Sequence, residues 1–193
     1  SVDGGAYTTV VADTLVDNTT GYTSYHCRAD VTELVQANPI NAKYTVADVY
    51  SRLAGTNNWA GWNMVVVYKN DLLTTKNLSV FDGVANVAGS STVDIGISGF
   101  LTPPAGAVNF DIGVFAYDGD RGFTGDQLQF DGGSGFVNLS NATNLSNDIF
   151  NFSITDGGVV STSQDPLFEN NISIDADIFS PDNSTFAFIG NSA

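Results

Sequence analysis

Hydrophobic and polar residues alternate with period two over most of the chain, and Gly, Asn, Asp and Pro break the alternation at short intervals. That pattern predicts many short antiparallel strands. In NFDIGVFAYDGD, Phe110, Ile112, Val114 and Ala116 fall on one face, predicted to point inward. In NISIDADIF the same rule turns Ile172, Ile174, Ala176 and Ile178 inward and Asn171, Ser173, Asp175 and Asp177 outward. GWNMVVVYKN carries Trp62, Met64, Val66 and Tyr68 on one face and Val65 and Val67 on the other, so it reads as a central strand covered on both sides. Further strands are predicted near YTTVVADTLV, KNLSVFDGVANV, STVDIGISGF, DQLQF, NFSIT and STFAFIG, and DVTELVQAN is the one helical segment, with Asp30 or Thr32 placed to cap it. About ten strands without helices between them predict an all-β fold, a two-sheet antiparallel sandwich of jelly-roll type formed as a single domain over residues 1–193.

Composition fits that reading: 193 residues with 42% hydrophobic and 14% charged side chains can enclose one core. No apolar run approaches the roughly 20 residues of a membrane-crossing helix. The charge balance narrows the partners. Twenty-one acids face six bases, net −15, and no Lys or Arg follows Arg121. Such a surface repels phosphate backbones and anionic leaflets, which excludes nucleic acid and membrane insertion as partners and favours cations. All but Glu33 and Glu169 of the acids are Asp, the short carboxylate that caps turns and ligates calcium in loops. In YDGDRGFTGD, Asp118, Asp120 and Asp126 are candidate ligands for one calcium ion, with Gly119, Gly122 and Gly125 letting the backbone curl around it. The competing reading is a metal-free turn in which Arg121 pairs with Asp118 or Asp126.

Little catalytic equipment is present. The only histidine, His26, adjoins the only cysteine, Cys27, and neighbours in a strand point to opposite faces, so they do not form a nucleophile and base. Burial is expected for Cys27. No Gly-x-Ser-x-Gly elbow or phosphate-cradling Gly-Lys-Ser/Thr loop occurs, although 21 acids always leave room for some carboxylate pair. A non-enzymatic protein with no catalytic residues is expected.

Eight Asn-x-Ser/Thr sequons stand at Asn18, Asn77, Asn138, Asn141, Asn144, Asn151, Asn171 and Asn183, three of them end to end in NLSNATNLSN. Each is a candidate glycosylation site. By strand parity Asn77, Asn151 and Asn171 point away from the core. The bland alternative is that Asn, Ser and Thr simply fill turns and outer faces.

Taken in order, ADVTELVQAN, YTVADV, AGWNMVVVYKND, NLSVFDGVANV, YDGDRGFTGDQLQF and IDADIF resemble an uncharacterised β-sandwich domain of large secreted and cell-surface proteins of bacteria and archaea. The resemblance runs from about residue 25 to 180 and departs at Lys69, where the pattern is usually acidic. It implies an extracellular or cell-surface location and no catalytic residues. The pattern also extends beyond both ends of the chain, which implies missing terminal strands that a neighbouring copy can supply. AYTTVVADTLV and STFAFIG, with Phe186 and Phe188, are the candidate exchanged strands in a head-to-tail homopolymer, a filament or surface layer. The alternative is a sugar-binding adhesin module in which Trp59, Trp62, Tyr22 and Tyr25 stack on pyranose rings, with glycans as partners.

Overall fold

The computed structural model describes residues 1–18, 24–52, 55, 58–105, 108–164, 167–171 and 173–182, with the side chains of Asp17 and Asn18 outside the description. The fold is β-rich. Among the described residues, eight strands and one five-residue helix divide between two compact units, the first made of Ser1–Val49 with Val80–Ile95 and the second of Tyr50–Ser79 with Gly96–Ala193.

In the first unit β1 (Thr14–Asn18) pairs antiparallel with β2 (Ser24–Arg28), matching Leu15 with Cys27 and Val16 with His26. Asp13 extends the ladder at its open end, its N–H donating to the Arg28 carbonyl at 2.8 Å and its Oδ2 accepting from Asp30 N at 2.6 Å. α1 (Thr32–Gln36) follows as the sequence predicted, but its N-cap is Val31, without a side-chain cap. Asp30 instead accepts the Thr32 N–H one position upstream, at 2.9 Å, and the Thr32 hydroxyl, followed by that N–H, holds its carboxyl below the usual range. Cys27 is exposed, contrary to the expected burial, because this two-stranded ribbon turns it to solvent. On the other side of β2, His26 Nε2 lies 2.8 Å from Asp82 Oδ1 and Arg28 Nε 3.6 Å from Asp82 Oδ2.

The second unit holds the core. β3 (Ile112–Tyr117), β6 (Ile154–Asp156), β7 (Val159–Val160) and β8 (Ile174–Phe179) form one sheet in the order β3-β8-β6-β7, and β4 (Gln129–Phe130) and β5 (Val137–Asn138) form a separate hairpin. The sheet is mixed: β8 runs antiparallel to β3 but parallel to β6, which corrects the purely antiparallel expectation. The Asp-Gly-Gly turn at 156–158 closes β6 onto β7, with Gly157 at φ 56° and Gly158 at φ 83°, backbone angles that glycine adopts without cost. Val108, Phe130, Leu139, Ile149 and Phe179 are buried together, with Ile112 and Val114 of β3 packed against them as predicted. Phe110 meets Phe130 at 5.3 Å between ring centroids.

Among the described residues three predicted strands are not formed. Residues 62–68, read as a doubly covered central strand, join no strand pairing among the described residues, and Val65, Val67 and Tyr68 are each more than 60% exposed. The segments from Lys76 to Val87 and Ser91 to Phe100 likewise lie outside the named strands. A run of β-branched residues satisfies strand propensity, but propensity supplies no partner. The STFAFIG stretch lies outside the described residues.

Candidate functional site

β8 carries the sequence IDADIF, and its alternation was read with the isoleucines inward. The structure reverses it. Register pairs Val114 with Asp177, Ala116 with Asp175 and Ile112 with Phe179, so the odd positions of β8 share the core face of β3. Asp175 and Asp177 are 0% and 1% exposed, whereas Ile178 is 40% exposed. The stretch that leads into β6 is buried against expectation too: Asn151, Ser153 and, within β6, Thr155 are buried, and Thr155 lies beside Asp177 in the parallel ladder. The even face is lined by the half-buried Tyr117 and Ile174. Trp59 stacks on Tyr117 at 4.9 Å, and Gly61 sits so close to Ile174 that an added Cβ would lie 2.5 Å from its Cδ1.

Polar groups survive burial only when they are hydrogen-bonded, and the chain supplies the partners locally. The Ser153 N–H donates to Asp175 Oδ1 at 3.2 Å, and the backbone N–H groups of Phe152 and Asn151 also bond this carboxyl. Phe152 has φ 62°, a left-handed turn of the kind that gathers successive N–H groups toward one anion. Thr155 Oγ1 lies 2.7 Å from Asp177 Oδ1 and 2.9 Å from Asn144 Oδ1. Asn144 Nδ2 donates to the Ile149 carbonyl and to Ser153 Oγ, each at 3.1 Å. The second oxygens, Asp175 Oδ2 and Asp177 Oδ2, are buried and have no hydrogen-bond partner among the described residues. Burial, and then the negative charge of Asp177, push the Asp175 carboxyl up to about 7. Burial also raises Asp177, against the opposing influence of the polar Thr155 and Asn144 side chains beside it. Sequence reasoning missed this cluster because it assigned faces by hydrophobicity. The available signal was that Asp175 and Asp177 share the parity of Phe179.

The candidate calcium ligands serve other contacts. Asp126 Oδ2 accepts the Phe150 N–H at 2.6 Å, the Gly125 N–H donates to the Asn147 carbonyl at 2.7 Å, and the Gly122 N–H donates to Asp148 Oδ2 at 3.1 Å. Asp118 takes a hydrogen bond from Trp59, while burial and then the charge of Asp120 raise its carboxyl. Arg121 pairs with neither Asp118 nor Asp126. Its Nε donates to the Asn151 carbonyl at 3.4 Å and a terminal nitrogen to the Glu169 carbonyl at 2.8 Å. The loop thus fastens 118–126 to 147–151, and among the described residues no three His, Cys, Asp or Glu side chains gather as a metal site.

The sequons separate by burial. Asn77 and Asn138 are exposed, with Oδ1 accepting from the Leu101 N–H at 3.2 Å and Gln129 Nε2 at 2.7 Å respectively. Asn141 Oδ1 accepts the N–H groups of Thr143 and Asn144, which makes NLSNATNLSN a tight Asx turn. Asn144 and Asn151 are 0% and 6% exposed and spend their amide nitrogens inside, correcting the outward reading of Asn151. Asn171 is half-buried, its Nδ2 donating to the Phe168 carbonyl at 3.2 Å. Asn18 ends β1, and Asn183 lies outside the described residues. Peptide mapping of native protein is expected to find any sugar at Asn77 and Asn138 and none at Asn144 and Asn151. Occupancy of Asn144 in folded protein would contradict the buried turn.

Of the proposed aromatic platform, Trp59 is engaged with Tyr117, Trp62 is 43% exposed, Tyr25 belongs to the first unit and Tyr22 lies outside the described residues. No helix among the described residues is long and apolar enough to cross a membrane. No family model, curated protein or solved structure matches the chain.

Proposed function

We propose that this is a non-enzymatic structural protein of the cell exterior, a glycosylated subunit that associates with copies of itself by strand addition into a filament or surface layer. The observation that supports this reading is the 62–68 segment, which has strand sequence, lacks a ladder partner among the described residues and exposes Val65, Val66, Val67 and Tyr68. Exposed apolar runs with open backbone groups favour addition of a strand from another chain. The N-terminal candidate for donation fits the same reading: Tyr7, Val10 and Val11 are exposed and residues 6–12 belong to no strand. An added strand would complete a jelly-roll sandwich of the extracellular type that the sequence blocks resemble. Calcium at Asp118, Asp120 and Asp126 belongs to this proposal only if the loop releases Asp126 from Phe150.

Sedimentation and negative-stain microscopy test it. The native chain is expected to form concentration-dependent polymers, and Val65→Lys with Val67→Lys to leave folded monomers. A native chain that stays monomeric at high concentration would refute the reading. The second reading, a sugar-binding module, rests on the exposed Trp62, and binding on a glycan array that is lost in Trp62→Ala would favour it.

A further inference from the structure

The cluster on β8 raises a question of proton accounting. Thr155 Oγ1 has short contacts to two oxygens, Asn144 Oδ1 and Asp177 Oδ1, but a hydroxyl has one proton to donate. The orientation of Asn144 is fixed by its Nδ2, which faces the Ile149 carbonyl, so its Oδ1 only accepts. If the Thr155 hydroxyl donates to Asn144, the 2.7 Å contact to Asp177 needs a proton from the acid. Asp175 has the opposite environment, with its carboxyl facing backbone N–H donors that suit an anion.

We propose that Asp175 and Asp177 form a single proton-binding unit in which Asp177 holds a proton donated to Thr155, so that protonation locks β8 between β3 and β6 and alkaline pH loosens it. Among the described residues no cation offsets the pair from the neighbouring elements. On β3 the residues opposite are Ala116 and Val114, and the titratable Tyr117 lies across from Ile174 on the other face. On β6 the neighbour is Thr155, while Asp156 is exposed beside Ile178. In the 118–151 loops, Asp148 bonds Gly122 and Arg121 bonds backbone carbonyls. With both carboxyls ionised, two buried charges would stand two residues apart with two oxygens unpartnered.

The sign follows from linkage. A carboxyl whose folded value is raised binds its proton more tightly in the native chain, so its contribution is complete below the unfolded value of 3.8 and is lost as pH rises through the folded value, which is about 7 for Asp175 and is raised in the same direction for Asp177. The two groups titrate as a pair, and the observed steps belong to both. Thermal melts between pH 4.5 and 8.5 are expected to show a falling midpoint in the native chain. Asp177→Asn, whose amide can still donate to Thr155, is expected to flatten that fall and to melt several degrees above the native chain at pH 8. Asp175→Asn provides a second variant, and carboxyl-carbon NMR of labelled native protein reads the protons directly. Equal pH slopes in the native chain and both variants, or both carboxyls titrating near 3.8, would overturn the proposal. So would calcium chloride that raises the native midpoint at pH 8 and not that of Asp177→Asn, because the pair would then hold a metal ion.

Discussion

Phe179→Ala is expected to lower stability by about 3–5 kcal/mol, because it empties a fully enclosed site at the end of β8. Phe179 is 2% exposed and is buried with Val108, Phe130, Leu139 and Ile149, while Ile112 lies across from it in the β3 ladder. Truncation removes the whole phenyl ring from neighbours that belong to three segments of chain, so the cavity cannot close by a simple shift of one side chain. At about 2–4 °C per kcal/mol for a chain of this size, the thermal midpoint should fall by roughly 6–20 °C. Phe179→Leu should retain most of the difference. A circular-dichroism melt that moves by only a degree or two in Phe179→Ala would mean that this cluster is not the core of the unit.

Gly119→Ala is the second large effect, and it acts through backbone. A Cβ at Gly119 would overlap the Phe150 carbonyl oxygen and lie 2.6 Å from its carbonyl carbon. That carbonyl cannot rotate away cheaply, because the Phe150 N–H is held by Asp126 and the adjoining Asn151 carbonyl by Arg121. The loops at 118–126 and 147–151 must separate, at about 3 kcal/mol, the upper range of overpacking costs. Gly113→Ala is the internal comparison. It is the second residue of β3 with open space where the methyl would go, and should be neutral or stabilise by about 0.5–1 kcal/mol. If urea midpoints of the two variants agree, the close approach of residues 119 and 150 is wrong.

The elements legible in the sequence were those in which hydrophobicity and pairing agree. β3 was read with the correct face, since Ile112 and Val114 point to the core and Gly113 is exposed. The helix at 32–36 followed from its local pattern. β8 was found as a strand and assigned the wrong face, because its register is set by β3 and β6, fifty-seven and eighteen residues away at their nearest ends, and not by its own isoleucines. Asn151 was turned outward by the same rule. Its burial depends on Thr143 and Asp148, whose carbonyls accept its Nδ2. β7 has only two residues, too short for any periodicity, and was missed. At residues 62–68 propensity was strong and a partner was assumed. The acidic cluster was the least legible part, since a strand with two aspartates reads as solvent-facing until Ser153, Thr155 and Asn144 are brought against it.

The strand order β3-β8-β6-β7 carries a consequence for how the chain matures. Its inner member β8 is the last strand made among the described residues, and it joins β3 to β6 across long loops whose closure entropy precedes any reward. Until residue 179 has emerged, β3 and the β6–β7 hairpin have no common partner, and Ile112, Val114 and Ile149 lack the Phe179 surface that covers them. Synthesis from the N-terminus therefore leaves a long interval in which the sheet exists as separate pieces with open edges. A pause or truncation before β8 would strand the chain in that state, where another copy's strand is as available as its own.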